Sequence, residues 1–294
     1  MSKVGDYLSL VKFSHTIFAM PFALLAFVYA VKTSPEVVAE SGPYWWAMLL
    51  LQVVLCMVFA RNVAMGFNRW ADRFIDAENP RTAMREIPAG KISSREAVWF
   101  IAVNAVLFIV VSATINPLCG WLSPVALAVV MFYSYCKRFT SLAHIVLGIS
   151  LGIAPVGATI AVCGEITVES IILALGVMCW SAGFDIIYAL QDAEFDRVRG
   201  LCSIPSRFSA FTSLVISALL HAVSLSMIVL YTSYQPQSWL AWLGCAMFAA
   251  ILLLEHILVT PTRQRNIGIA FGTLNALASV AYGVALILNM LIWG

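Results

Sequence analysis

The sequence predicts an all-α integral membrane protein, a bundle of nine transmembrane helices forming one membrane-embedded domain over residues 1–294. Three observations carry this reading. Hydrophobic residues make up 62% of the chain and charged residues 11%, whereas soluble domains carry roughly 45–50% and about 25%. The apolar residues fall into long runs, most of them near the ~20 residues that span a bilayer. The charges fall mainly in alternate connections between those runs.

The runs lie at 14–31, 46–67, 97–115, 118–135, 142–162, 168–190, 210–232, 239–259 and 267–292. The first follows Lys3 and Lys12. No small-x-small cleavage site follows it, so it reads as a retained span rather than a signal peptide. Pro21 and Pro155 lie inside runs and predict kinks or breaks, which bundles tolerate where neighbours re-satisfy the backbone. Gly148 and Gly152 form a GxxxG spacing, a mark of close helix packing.

Basic residues decide orientation. Arg69, Arg73, Arg81, Arg85, Lys91 and Arg95 follow the second run; Lys137 and Arg138 follow the fourth. Arg197, Arg199 and Arg207 follow the sixth, and Arg263 and Arg265 the eighth. The opposite side offers only Lys32. The positive-inside rule places the N-terminus and the even-numbered connections in the cytoplasm, which predicts a multi-pass protein of the inner (cytoplasmic) membrane. The net charge of +2 and the lack of basic runs elsewhere give no reason to expect a nucleic-acid partner. Seven scattered cysteines without a CxxC spacing argue against a disulfide framework or zinc site. His144, His221 and His256 show no ligand spacing and are expected to pack; Glu255 is expected at the membrane interface.

Two polar constellations stand out. Asn68, Asp72 and Asp76 are spaced by four, so on a helix they share one face. Asp185, Asp192 and Asp196 are spaced by seven and four and share another. The pair Asp72 and Asp76 repeats as Asp192 and Asp196, 120 residues later. Clustered carboxylates repel unless a cation neutralises them, and Mg²⁺ takes carboxylates, waters and phosphate oxygens. The metal set expected from these residues is Asn68, Asp72, Asp76, Asp185, Asp192 and Asp196. Nearby Arg73, Arg81, Arg85, Lys137 and Arg138 suit a diphosphate. One pair of loop aspartates is usually solvated charge; two matched pairs are a stronger signal. Asp185 lies in an apolar context, where an acid is costly and marks a functional position.

These residues resemble the signatures of the UbiA superfamily of intramembrane prenyltransferases. Asn68, Asp72 and Asp76 match its N-x-x-x-D-x-x-x-D motif; Phe184, Asp185, Tyr188, Ala189, Asp192 and Asp196 match its second motif. The segment from Arg81 to Gly90 is similar to the family's basic stretch ending in P-x-G, and Tyr135 to Thr140 to its Y-x-K-R-x-T loop. The resemblance implies a central cavity with a lateral opening. It also implies Mg²⁺-dependent transfer of a polyprenyl group from polyprenyl diphosphate to an aromatic acid in ubiquinone or menaquinone biosynthesis. Asp72, Asp76, Asp192 and Asp196 would be catalytic, and Phe67, Trp70 and Tyr188 would face an allylic cation. The first run departs from the 4-hydroxybenzoate branch: Lys12 stands in place of the usual arginine. This form is more similar to the branch expected to use 1,4-dihydroxy-6-naphthoate. Lys12, His15 and Tyr188 are the expected acceptor contacts. The competing class is a transporter coupling cations or protons through paired acids. Against it, the acids lie at one membrane face among basic residues.

Overall fold

The structure, a computed structural model, describes residues 3–11, 18–40 and 44–294. In order come α1 (Lys3–Leu10), α2 (Met20–Thr33), α3 (Pro35–Glu40), α4 (Trp45–Ala71), α5 (Arg73–Glu78) and α6 (Ser94–Ile115). Then follow α7 (Pro117–Cys136), α8 (Ala143–Cys163), α9 (Val168–Ala189), α10 (Ala193–Val198) and α11 (Ile204–Arg207). The chain closes with α12 (Ala210–Ser233), α13 (Trp239–Leu258), a π-helical turn (Ile269–Leu274) and α14 (Asn275–Trp293). No strand occurs among the described residues beyond one isolated bridge, Thr260 to Arg263.

Among the described residues, 8 helices are long and apolar enough to cross a membrane. They match the expected runs from the second to the ninth. The first run, 14–31, falls partly outside the described residues; its described part is α2, an apolar helix of 14 residues. The chain is a multi-pass membrane protein, and the count of nine spans is approximate.

Side chains at the turns define the helix starts. Ser93 accepts from the Glu96 amide, and the Glu96 carboxylate accepts from the Ser93 amide, closing a capping box at α6. Asn116 caps α7 immediately before Pro117, and Thr167, Ser209 and Ser238 cap α9, α12 and α13. Gly164 ends α8 at φ 72°, a conformation glycine adopts without a Cβ penalty.

Proline placement corrects one expectation. Pro21 is not inside a helix but at the start of α2, where a missing N–H costs nothing. Pro155 and Pro124 do lie inside helices. Pro124 cannot donate to the Gly120 carbonyl, and the Ser123 hydroxyl donates to it instead, at 2.8 Å.

α9 is the central helix, buried over most of its length. Trp180 packs on Phe22 from α2 and Phe248 from α13, with ring centroids 5.3 and 6.1 Å away. The GxxxG pair works as expected: a Cβ on Gly148 would lie 2.4 Å from the Met178 carbonyl oxygen, and one on Gly152 2.8 Å from that of Ala174. The small residues therefore let α8 lie directly on the α9 backbone. On the other side, α12 grips α9 through polar side chains. Ser217 and Ser224 donate to the Gly183 and Gly176 carbonyls at 2.8 Å. His221 Nε2 lies 3.2 Å from the Trp180 carbonyl. Glu255, expected at the interface, is instead fully buried in α13.

Candidate active site

A cavity of about 790 Å³ opens within the bundle. Its apolar walls come from α4, α7, α8 and α9, and its polar end is formed by the segments following α4 and α9. Asn68, Asp72, Asp76, Asp185, Asp192 and Asp196 all line it, as do Arg81, Arg85, Lys137, Arg138 and Tyr188. Two segments 120 residues apart in sequence thus meet at one cavity end.

Local structure delivers each carboxylate. α4 ends at Ala71 and α5 restarts at Arg73, with Asp72 at the break. Asp76 therefore sits on the first turn of α5. On the other side, α9 tightens into a 3₁₀ turn at Leu190–Asp192 before α10.

Each carboxylate has its own partners. The Asp192 carboxylate accepts from Arg81 through both oxygens, with Nε at 2.8 Å from Oδ1, and from Asn79 Nδ2 at 3.0 Å. Asp76 Oδ1 accepts from Arg85 Nη1 at 2.6 Å. Asp72 accepts from Arg138 Nη2 at 3.1 Å and, at 3.4 Å, from Asn68 Nδ2. Asp196 accepts from the Ser203 hydroxyl at 3.0 Å. Asp185 Oδ2 lies 2.7 Å from His144 Nδ1. The Ile204 amide donates to His144 Nε2 at 3.3 Å, so the Nδ1–H donates to Asp185.

Electrostatics follow from this pairing. Burial pushes the Asp72 carboxyl above the usual carboxylate range, with the Arg138 hydrogen bond working against it. Burial works to lower the Arg81 guanidinium, but its hydrogen bonds to Asp192 and to the Tyr188 hydroxyl, with the charge of Asp192, outweigh that and raise it. Burial works likewise on Lys137, and the combined fields of Asp196, Asp185, Asp192 and Asp72 raise it. Lys137 is thus the cation that all four of those carboxylates feel.

The six residues expected to hold a metal ion all line this end of the cavity. Among the described residues, no three His, Cys, Asp or Glu side chains come close enough together to hold a metal ion. Arginines pair with three of the carboxylates, Asp72, Asp76 and Asp192. The donor set nevertheless fits a hard divalent cation. All the donors are oxygens, Asp76 Oδ2 is buried with no hydrogen-bond partner, and Mg²⁺ needs only one or two carboxylates beside phosphate oxygens and water.

Three further expectations change. Arg73 does not line the cavity: it donates to the Trp70 carbonyl at 2.6 Å and stacks 4.8 Å from Trp70 and 4.3 Å from Phe74. Phe67 and Trp70 face away as well: Trp70 donates to the Ser94 hydroxyl, and Phe67 packs on Tyr135. The aromatic lining comes instead from Phe18, Phe108, Tyr133, Phe184, Tyr188, Phe195 and Phe271. His144, expected only to pack, is a partner of Asp185. Lys12 and His15 lie outside the described residues.

Arg61, Arg69, Asn79 and Ser203 were missed as site residues. Arg61 and Arg69 line the cavity from within α4. Arg61, Asn68 and Asp72 are spaced by seven and four, so they share a face with the first motif. An arginine inside an apolar helix was itself a legible signal. Asn79 and Ser203 offered none, because their partners depend on folding.

The UbiA prenyltransferase family model matches residues 17–292. A 4-hydroxybenzoate octaprenyltransferase from Yersinia pseudotuberculosis is 34% identical over 208 residues, 70% of this chain and 69% of its own length. One from Serratia proteamaculans is 31% identical over 219 residues, 74% of each chain. Among solved structures, the apo UbiA homolog from Aeropyrum pernix K1 superposes with a TM-score of 0.81 at 30% identity, covering 94% of this chain and 98% of its own. A UbiA homolog from Archaeoglobus fulgidus, bound to GPP and Mg²⁺, gives a TM-score of 0.70 at 21% identity over 96% and 99% of the two chains, which bears on the fold alone.

Proposed function

This chain belongs to the UbiA prenyltransferase family, and from that premise we propose that it transfers a polyprenyl group from polyprenyl diphosphate to an aromatic acid. The observation that carries the reading is the meeting of both aspartate motifs with Arg81, Arg85, Lys137 and Arg138 at the polar end of one apolar cavity. A substrate with a diphosphate head and a hydrocarbon tail matches that division. A transporter has no use for arginines beside its acids, which would repel a cation.

The charged end binds the diphosphate. Arg81, Arg85, Lys137 and Arg138 hold its oxygens, and the apolar walls take the tail. Asn68, Asp72 and Asp76 on one side, and Asp185, Asp192 and Asp196 on the other, would hold Mg²⁺. Bound there, Mg²⁺ would supply stabilisation of the charge on the departing diphosphate. The allylic C–O bond breaks and its electron pair leaves with the diphosphate. The carbocation left behind faces Tyr188. A ring carbon of the acceptor, made electron-rich by a hydroxyl, forms the new C–C bond, and loss of its proton restores aromaticity.

The acceptor is of the 4-hydroxybenzoate or 1,4-dihydroxy-6-naphthoate type. A carboxylate in a low-dielectric cavity needs a cation; Arg61 lines the cavity from inside α4, and Lys12 and His15 are the other candidates. The charge pattern of the connections supports a site at the cytoplasmic face of the inner membrane, and the reading takes the chain as one domain. Purified protein in lipid is offered one polyprenyl diphosphate, Mg²⁺ and several aromatic acids, with products identified by mass spectrometry. A prenylated acid is expected with at least one of them. Diphosphate release without any prenylated product from the whole panel overturns the reading.

A further inference from the structure

The ring closest to Tyr188 comes from the far end of the sequence. Phe271 lines the cavity with its ring centroid 4.2 Å from that of Tyr188, at an interplanar angle of 33°. It also packs against Phe184 at 5.5 Å and Phe18 at 5.6 Å. The Tyr188 hydroxyl accepts from Arg81 Nη1 at 2.8 Å, and Arg81 grips Asp192. Phe271 therefore stands where the aromatic part of the cavity meets its charged end.

Its position depends on an irregularity. Phe271 lies within the π-helical turn Ile269–Leu274 that leads into α14. A π turn carries one residue more than an α turn, so relaxing it would rotate the residues before it by roughly 100° about the axis. Asn275 sits directly after the turn, fully buried. Its Nδ2 donates to the Ala270 carbonyl at 3.0 Å and to the Phe271 carbonyl at 3.3 Å. Its Oδ1 is buried without a partner, a state that costs free energy and has to be offset by something the amide does.

We propose that Phe271 forms with Tyr188 the aromatic wall against the reacting allylic carbon, and that Asn275 is the positioning residue that holds Phe271 there by locking the π turn. This rests on the prenyl-transfer reading and deepens it. Tyr188 stacks on Phe271 and has the Arg81 guanidinium 5.3 Å over its ring, so it is the outer face of Phe271 that carries partial negative charge towards the carbocation, and the stacked pair occupies the volume through which water would reach it. Water that does reach the cation adds through its oxygen, loses a proton and leaves as a prenyl alcohol. The wall therefore controls both ionisation and the partition between alcohol and prenylated acid.

The experiment compares wild type, Phe271→Leu, Phe271→Tyr and Asn275→Leu in proteoliposomes. Diphosphate release is measured with and without acceptor, and alcohol and prenylated acid are quantified by mass spectrometry. Phe271→Leu is expected to slow diphosphate release about tenfold and to raise the alcohol fraction, with the KM for prenyl diphosphate nearly unchanged. Phe271→Tyr keeps the ring and should restore both. Asn275→Leu should reproduce the Phe271→Leu signature with the phenyl ring still in the sequence; a purely structural amide would lower yield and thermal stability but leave the partition alone. Wild-type release and partition in Phe271→Leu overturn the proposal. A folded Asn275→Leu with wild-type partition overturns the positioning role. If Asn275→Leu does not fold, Asn275→Asp, which keeps the size and loses the two N–H donors to Ala270 and Phe271, takes its place with the same outcomes. Because release is also read without acceptor, a wild type that prenylates no acid sinks the functional reading separately.

Discussion

The two aspartate segments share a four-residue spacing and little else. Asp192 follows the central helix α9, which α8 covers on one side and α12 on the other. Asp72 follows α4, most of whose side chains are not buried. Asp192 is held by both oxygens through Arg81 and by Asn79. Asp72 has one arginine contact at 3.1 Å and a long bond to Asn68. Identical local spacing has been placed in one rigid setting and one looser setting. On the prenyl-transfer reading, Asp192 serves as a fixed point of the site and Asp72 as a point free to adjust.

The largest effect expected from this asymmetry is at Asp192. Asp192→Ala removes a site carboxylate and strips Arg81 of its carboxylate partner, and should lower kcat by ~10³-fold or more. Asp72→Ala should also be severely impaired, but less so. Product formation in proteoliposomes, with folding checked by size-exclusion chromatography, measures both. Equal losses would break the comparison, and full activity in either variant would remove that residue from the site.

Metal removal comes next. Excess chelator should stop turnover and added Mg²⁺ or Mn²⁺ should restore it, with a loss of at least ~100-fold from the missing charge stabilisation. The wild type with undiminished turnover and no bound metal by elemental analysis would end the metal assignment.

The arginines sharpen the contrast at lower amplitude. Lysine keeps the charge of arginine but not its two-pronged geometry. Arg81→Lys should therefore raise the KM for prenyl diphosphate about tenfold, against about threefold for Arg138→Lys. Steady-state kinetics of the two variants give the ratio directly; a larger loss at Arg138 would reverse the assignment of fixed and adjustable points.

The smallest effect is on stability against pH. Burial raises the Asp72 carboxyl above the ordinary carboxylate range in the folded protein. The folded state then binds that proton more tightly than the unfolded chain, so this group favours folding at low pH and opposes it once ionised. Asp72→Asn should melt at a higher temperature than wild type at neutral pH, and the gap should close as pH falls through the raised pKa. Thermal melts across that window test the sign; a gap that widens on acidification would contradict burial as the dominant influence.

Much of this site was legible in the sequence because the relevant spacing is local. Asn68, Asp72 and Asp76 share a face by helical geometry alone, and the repeat at Asp192 and Asp196 could be matched without coordinates. The apolar runs fixed the class of fold for a similar reason, since bilayer thickness sets the length of a span. What the sequence left open was which partner each group takes. Arg73 and Arg81 look equivalent as loop cations, yet Arg73 stacks on Trp70 and Phe74 while Arg81 grips Asp192, 111 residues away. His144 and Asn79 entered the site, and Phe67 and Trp70 left it, through helix packing rather than any local pattern. By itself the sequence determined the membrane-spanning class and the carboxylate spacing, because both follow from distances along one helix. Only the tertiary structure decided the pairing of each carboxylate and the stacking of Phe271 on Tyr188, because those depend on how helices distant in sequence pack around α9.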